Sequence, residues 1–300
     1  MENVLTLIAP PGGLSETIVD SVRAALAGLS AEVGDADWLA LGEACDIAFA
    51  GADRKAAETA ARDALDDAPL DLWAGPQEGR KKKLLVADMD STIVTVECLD
   101  ELAARIGKKK EIAAITESAM RGEVDYRESL KQRVAMLAGL KESAIQETLA
   151  GVNLTPGAET LVKTMAANGA YTLLVSSGFT VFTEPVANLA GFDDHRGNRL
   201  EITDGHLTGR VIEPILDKDA KLENLKRAAD ERNIPLSRSL AIGDGANDVP
   251  MIQAAGLGVA YKAKPVTQEA AMASNGARID HTGLTAALFM QGYRLQEFAG

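Results

Sequence analysis

A chain of 300 residues that is 46% hydrophobic has enough apolar side chains for a full core and for more than one domain. Its formal charge of −13 speaks against a nucleic-acid or anionic-membrane surface, because those partners need a basic patch. Two cysteines, Cys45 and Cys98, are too few for a disulfide framework or a zinc set, so they read as packing residues of a cytoplasmic protein.

The first 75 residues carry 14 acids against 4 bases and so hold most of the negative charge. The start MENVLTLIAP lacks a basic region and a sustained apolar stretch, and no signal peptide is expected. Residues 4–9 read as a strand, and PPGG then turns into a helix whose Leu14, Ile18, Val22, Leu26 and Leu29 recur at helical spacing. Strands at 37–41 and 44–50, an Ala-rich helix at 53–65 and a strand at 70–74 complete a βαββαβ order, that of a small ferredoxin-like α+β domain. Its resemblance to ACT-type amino-acid-sensing domains is one of topology. Residues 76–83 read as a polar linker with a solvated lysine run, which predicts a second unit able to fold without the first.

Residues 84–87 (LLVA) form a short apolar run of the kind found in buried parallel strands, and the run ends in Asp88 and Asp90. Helices alone are expected from about 96 to 152, at 99–106, 111–120, 126–137 and 142–149; an insertion there covers the strand end as a cap. Helix and strand then alternate: helix 158–167, strand 171–175, helix 179–189, a hairpin of 199–203 and 206–212 around Asp204-Gly205, helix 221–232, strand 240–242, helix 248–255 and strand 258–260. Two further α/β pairs are expected after residue 260. Residues 164–183 carry no charge, yet Asn168, Gly169, Ser176, Ser177 and Gly178 break them into helix end, strand and loop instead of a membrane span. The fold class is therefore α/β, a parallel Rossmann-like sheet with a helical cap after its first strand, preceded by the ferredoxin-like domain.

A second acidic cluster follows the strand at 240–242, with Asp244, Asn247 and Asp248 in a Gly-rich turn. Bringing Asp88, Asp90, Asp244 and Asp248 together is repulsive unless a cation holds them, and oxygen ligands without His or Cys select Mg²⁺. Magnesium shares phosphate oxygens, so a phosphate substrate is implied. Ser176, Ser177 and Gly178 lie past a strand and before a helix, where hydroxyl and N–H groups face an anion, and Lys221 stands at a helix start. His195, His206 and His281 fall in none of these motifs and read as surface or turn histidines.

In order and spacing, DMDST, the Ser-Ser-Gly turn, Lys221 and GDGAND resemble the four motifs of the haloacid-dehalogenase-like phosphohydrolases over about residues 84–300. Within them, DMDSTIVTVECLDELA, YRESLKQRVAMLAGL, SSGFTVFTEPVA, NRLEITDGHLTG and GDGANDVPMIQAAGLGVAYKAKP resemble the phosphoserine phosphatase family. That resemblance implies Asp88 as nucleophile and Asp90 as acid and base. It implies Mg²⁺ on the Asp88 carboxylate, the Asp90 carbonyl and Asp244, with Asp248 ligating through water or orienting the site. Ser176, the Gly178 N–H and Lys221 would neutralise the phosphoryl group, and Asn247 would bond phosphate or the loop. Glu97 and Arg133 would bind the ammonium and carboxylate of O-phosphoserine, a small-molecule substrate, while Met120 and Tyr126 wall the pocket or pack in the helix core. Ser177 departs from the family, where many members carry glycine. Residues 1–75 are expected to sense serine or to mediate a homodimer. Alternatives are a phosphotransferase or a phosphatase for another monoester, a signalling receiver domain, and a sensor with a relic catalytic unit; the acid at Asp90 favours turnover over a stable phosphoaspartate.

Overall fold

The computed structural model of the protein describes residues 1–66, 68–120, 124–216, 218–274 and 276–300, without the side chains of residues 117, 119, 120 and 218. Its amino-terminal part comprises β1 (Asn3–Ile8), α1 (Glu16–Gly28), β2 (Glu32–Ala40), β3 (Ala44–Ala50), α2 (Arg54–Leu65) and β4 (Asp71–Pro76). The four strands make one antiparallel sheet in the order β2-β3-β1-β4, the ferredoxin-like arrangement. Both helices begin where the sequence supplies a cap. The Ser15 side chain accepts from Ile18 N, and Asp53 accepts from Lys55 N and Ala56 N. β2 starts five residues before the predicted strand, because EVGDA is too polar to show apolar alternation; it is an edge strand whose outer positions face solvent.

The remaining chain continues with β5 (Leu84–Ala87), the cap helices α3 (Cys98–Ala104), α4 (Lys109–Met120), α5 (Tyr126–Ala135) and α6 (Ser143–Leu149), then α7 (Ala158–Ala167), β6 (Tyr171–Phe179) and α8 (Thr180–Ala190). The hairpin β7 (Asp194–Thr203) and β8 (His206–Ile212) follows, then α9 (Lys218–Glu231), β9 (Ser239–Gly243), α10 (Val249–Ala254), β10 (Leu257–Tyr261), α11 (Pro265–Ala273), β11 (Ala277–Ile279) and α12 (Ala286–Met290). A seven-stranded sheet runs in the order β11-β10-β9-β5-β6-β7-β8, parallel except for the β7–β8 pair. β5 is central, and all four of its residues are buried between β9 and β6. That is why LLVA shows no alternation.

Three features of this part differ from the sequence reading. β7 begins at Asp194 and not at 199, since Asp194–Arg196 pairs with β6 through backbone bonds that a polar sequence does not advertise. Among the described residues after β10 there is one α/β pair and not two: the apolar run Ala286–Met290 is a fully buried helix, and buried apolar runs of five residues fit helix and strand alike. The basic run is not a solvated tether. Arg80 and Lys82 are buried, Arg80 pairing with Asp46 and donating to the carbonyls of Phe289 and Met290, while Lys82 Nζ donates to the carbonyls of Gly79 and Ser237.

The cap is joined to the hairpin by backbone bonds from Gly139 N to the Leu207 carbonyl, Leu207 N to the Leu140 carbonyl and Glu142 N to the Gly205 carbonyl. Inside it, Leu130, Val134 and Leu137 are buried and set the rotation of α5. No helix among the described residues is long and apolar enough to cross a membrane.

Candidate active site

The sheet's carboxyl edge collects the acidic residues. β5 delivers Asp88, 5% exposed, and the chain then reverses in the turn Met89–Ile93, closed by Val94 N donating to the Met89 carbonyl. Ser91 takes a left-handed φ of 56° within that turn, which brings Asp90 back beside the strand end. One Asp90 oxygen accepts from Cys98 N at 2.8 Å and the other from Ser176 Oγ at 3.2 Å. Asp90 thus links the first residue of the cap to the end of β6.

β9 delivers the second cluster. A Cβ on Gly243 would lie 2.3 Å from the Asp248 carboxyl carbon, so only glycine lets that carboxylate fold back against the strand. Asp248 is fully buried, one oxygen accepting from Gly245 N at 3.0 Å and the other from Lys221 Nζ at 2.5 Å. Lys221, in the first turn of α9, also lies 2.6 Å from an Asp88 oxygen. Burial alone would push its ammonium toward neutrality, but Asp248 and Asp88 hold it above the ordinary lysine value.

One ammonium does not balance this many carboxylates. Burial and then Asp248 drive the Asp88 carboxyl well above the usual range, with Lys221 offsetting part of the rise. Asp244 is pushed up to about 6 by burial, Asp248 and Glu97, and Asp90 to about 6 by burial and Glu97. Carboxylate oxygens of Asp88, Asp244 and Asp248 come within 4.8 Å of one another, an all-oxygen set that fits a hard divalent cation. Both Asp248 oxygens are engaged by the protein, so direct ligation falls more naturally to Asp88 and Asp244.

The phosphate-side turn is part of β6 and does not lie past it: the strand runs to Phe179 with a register irregularity between Val175 and Phe179 that includes Ser176, Ser177 and Gly178. Gly178 N donates to Ser176 Oγ at 2.8 Å, so that N–H faces a side chain here and not an open anion site. Ser177 has no left-handed backbone, so a serine fits there without the strain that would call for glycine. Its carbonyl accepts from Tyr126 OH at 3.2 Å and from Asn198 Nδ2 at 2.8 Å. Asn198 opens the stretch NRLEITDGHLTG, but the sequence assigns it no role. Asn247, half-buried, sits in the turn Ala246–Asp248 beside Gly245, where a Cβ would meet its Oδ1 at 2.5 Å.

On the cap side, Glu97 immediately precedes α3 without a side-chain capping bond and accepts from Ser91 Oγ at 2.7 Å. Arg133 is half-buried on α5, donating to the Ser129 carbonyl and to Thr116 Oγ1, both at 3.3 Å, and forms no ion pair among the described residues. Burial draws its guanidinium below the ordinary value, against weaker opposing effects of Tyr126, Asp100 and Glu97. Tyr126 bridges cap and core through the Ser177 carbonyl while also packing against the core, the second of its expected settings. The Met120 side chain lies outside the described residues. Among the histidines, His195 Nδ1 faces Thr183 Oγ1 and His206 Nδ1 faces the Asp204 carbonyl, each at 2.9 Å, while His281 N donates to Asp71.

A family model described as haloacid dehalogenase-like hydrolase matches residues 85–253. A phosphoserine phosphatase of Mycobacterium tuberculosis is 45% identical over 213 residues, 71% of this chain and 51% of that one. The chain spans about half the length of the first two curated relatives it matches. A hydrolase of the same family from Salmonella enterica serovar Typhi superposes with a TM-score of 0.83 at 27% identity, over 98% of this chain and all of that one. A solved phospho-aspartyl intermediate analogue of a phosphoserine phosphatase superposes with a TM-score of 0.64 at 36% identity, over 70% of this chain and 98% of that one. The matched segment carries Asp88, Asp90, Lys221, Asp244 and Asp248, the residues that meet at the sheet's carboxyl edge, and the chain belongs to the haloacid dehalogenase-like hydrolase family.

Proposed function

We propose that the protein hydrolyses O-phosphoserine to serine and phosphate through an aspartyl phosphate on Asp88, as the last step of serine biosynthesis. The observation that carries the substrate is Arg133. A half-buried guanidinium on the cap, bonded among the described residues only to a carbonyl and a hydroxyl, has no carboxylate partner among them, and a substrate carboxylate supplies one. Glu97, at the cap entrance, is the matching group for the ammonium. The names of the relatives support the same reading.

In the first step an Asp88 oxygen attacks phosphorus, the bond from phosphorus to the serine oxygen breaks, and Asp90 gives that oxygen its proton. In the second, water attacks phosphorus while Asp90 takes its proton, and the Asp88–phosphorus bond breaks to release phosphate. Lys221, Ser176 and Gly178 N–H neutralise the phosphoryl oxygens, which requires Gly178 N–H to turn from Ser176 Oγ to the substrate. Asn247 bonds phosphate or the loop. Asp88, Asp244 and the Asp90 carbonyl would hold Mg²⁺, with Asp248 orienting the set; when bound, the ion supplies positive charge against the phosphoryl oxygens. In this reading residues 1–75 are an ACT-like domain that senses serine or mediates a homodimer, residues 76–83 join it to the hydrolase domain 84–300, the cap is about 96–152, and the protein works in the cytoplasm.

Phosphate release from L-phosphoserine, compared with a panel of sugar and aryl phosphates, tests this directly. Selective release that EDTA abolishes and Mg²⁺ restores is expected. Full activity in metal-free buffer would reject the metal, and equal rates across the panel would reject the substrate.

A further inference from the structure

The pairing between β6 and β7 jumps from Val175 opposite Arg196 to Phe179 opposite Asn198. Four residues of β6 advance against two of β7, so Ser176, Ser177 and Gly178 bulge out of the sheet and lose their ladder partners on that side. Backbone groups stranded in a buried bulge need other partners. Asn198, 1% exposed, supplies one to the Ser177 carbonyl with its side chain. Its Nδ2 donates to the Ser177 carbonyl at 2.8 Å and to the Leu216 carbonyl at 3.3 Å, and its Oδ1 accepts from Leu216 N at 2.8 Å. A Cβ on the preceding Gly197 would lie 3.2 Å from the Phe179 carbonyl carbon and Thr180 N, so the close approach of β7 to the bulge depends on a missing side chain.

We propose that Asn198 is a positioning residue for the phosphoryl site, resting on the phosphatase reading above. One amide ties together two segments that no backbone ladder joins: the bulge that aims Ser176 and Gly178, and the segment at Leu216 that leads into α9 and Lys221. It acts through Ser177 and Leu216 and touches no reacting atom. The site needs a donor and an acceptor on one short side chain, which only asparagine offers at this length: aspartate keeps the bond from Leu216 N but faces two carbonyls without a proton to give, and serine reaches neither segment. Displacements of about 1 Å at such a site cost about 100-fold in rate.

The test compares Asn198→Asp and Asn198→Ser with Ile279→Ala, a control that opens the buried core at β11, remote from the site. For each variant, kcat and KM are measured on phosphoserine and on a small aryl phosphate, with orthovanadate inhibition as a probe of the phosphoryl pocket, all well below that variant's Tm. The expected result is a kcat about 100-fold lower on both substrates, with vanadate binding weakened at least roughly 10-fold and KM for phosphoserine little changed, because Arg133 and Glu97 stay in place. Ile279→Ala should lose Tm and keep kcat. Wild-type kcat and vanadate inhibition in folded Asn198 variants would overturn the proposal, and so would failure of both variants to fold beside a folded Ile279→Ala, which would make Asn198 a residue of the fold alone. Loss of the phosphoserine reading shows separately, as an aryl phosphatase without phosphoserine activity, and the Asn198 comparison then stands on the aryl substrate.

Discussion

The Lys221 ammonium lies 2.6 Å from an Asp88 oxygen, and both residues are at least 95% buried. With Asp248 on its other side, this lysine bridges two members of the acidic cluster. Removing it leaves two carboxylates buried without their counter-charge. Lys221→Met is therefore expected to lose about 3–5 kcal/mol in urea denaturation without metal and at least roughly 10²-fold in kcat. Wild-type turnover in this variant would mean that the ammonium has no part in holding the phosphoryl group.

Asp248 accepts two hydrogen bonds that substitution would break, whereas the Asp244 side chain accepts none among the described residues. Asp244→Asn should leave the far-ultraviolet circular dichroism unchanged and shift the Mg²⁺ needed for half-maximal activity upward by at least about tenfold. An unchanged Mg²⁺ titration would remove Asp244 from the ligand set.

The sequence alone predicts a catalytic unit that folds after truncation near Gly79, and the buried junction changes that expectation. Ile8, Leu39, Ala40, Ala44 and Trp73 pack in one cluster with Phe289 and Met290, and Asp71 accepts from the backbone of Asp280, His281 and Thr282. Arg80 closes the same junction against Asp46 and Thr6. Arg80→Met should cost about 3–5 kcal/mol, because Asp46 keeps its charge and loses its partner. A chain that starts near residue 80 should unfold at clearly lower urea concentration than the full chain, and equal midpoints would show the junction to be energetically idle.

What the sequence made legible follows from how each feature is encoded. Asp88, Asp244, Asp248 and Lys221 were readable because strand ends, Gly-rich turns and residue order are local signals, and the structure brings these four together. The bulge in β6 was not, since its residues have ordinary strand neighbours and its cause is the register of β7. Lys82 and Arg80 were misread for a related reason. A basic run looks solvated until the partner carbonyls, more than 150 residues away, are folded against it.

Lys82 yields a pH prediction. Its ammonium donates only to carbonyls, and burial, with Arg238 nearby, lowers it to about 8 from the ordinary 10.5. Between those values the unfolded chain holds the proton and the native chain does not, so this group's contribution to stability rises with pH across that window. Below about 8 both states carry the charge and the whole burial cost is present. The stability difference between wild type and Lys82→Met, from urea titrations at pH 7 and pH 10, should therefore move in favour of wild type as pH increases. Parallel pH dependence in the two proteins would contradict this.

In the proposed function, Arg133 carries the choice of substrate. The buried stripe Leu130, Val134 and Leu137 fixes the rotation of α5, and the guanidinium is held by the Ser129 carbonyl and Thr116 Oγ1 without an ion-pair partner among the described residues. Two neutral acceptors position a planar fork but do not balance its charge, and a carboxylate can take both remaining N–H directions. Glu97 lies at the start of α3, where it bonds Ser91 beside Asp90, so an ammonium held there stays close to the phosphoryl site. Arg133→Ala should then lower kcat/KM for phosphoserine by about 2–4 kcal/mol, the range for truncating one partner of a buried charge pair. A small aryl phosphate has no carboxylate to lose, and its kcat/KM should hardly move. Arg133→Lys should recover part of the loss at most, because a point charge does not reproduce the fork. Equal losses on the two substrates would show that Arg133 supports the cap and not the substrate, and would leave the protein a phosphatase whose monoester has yet to be found.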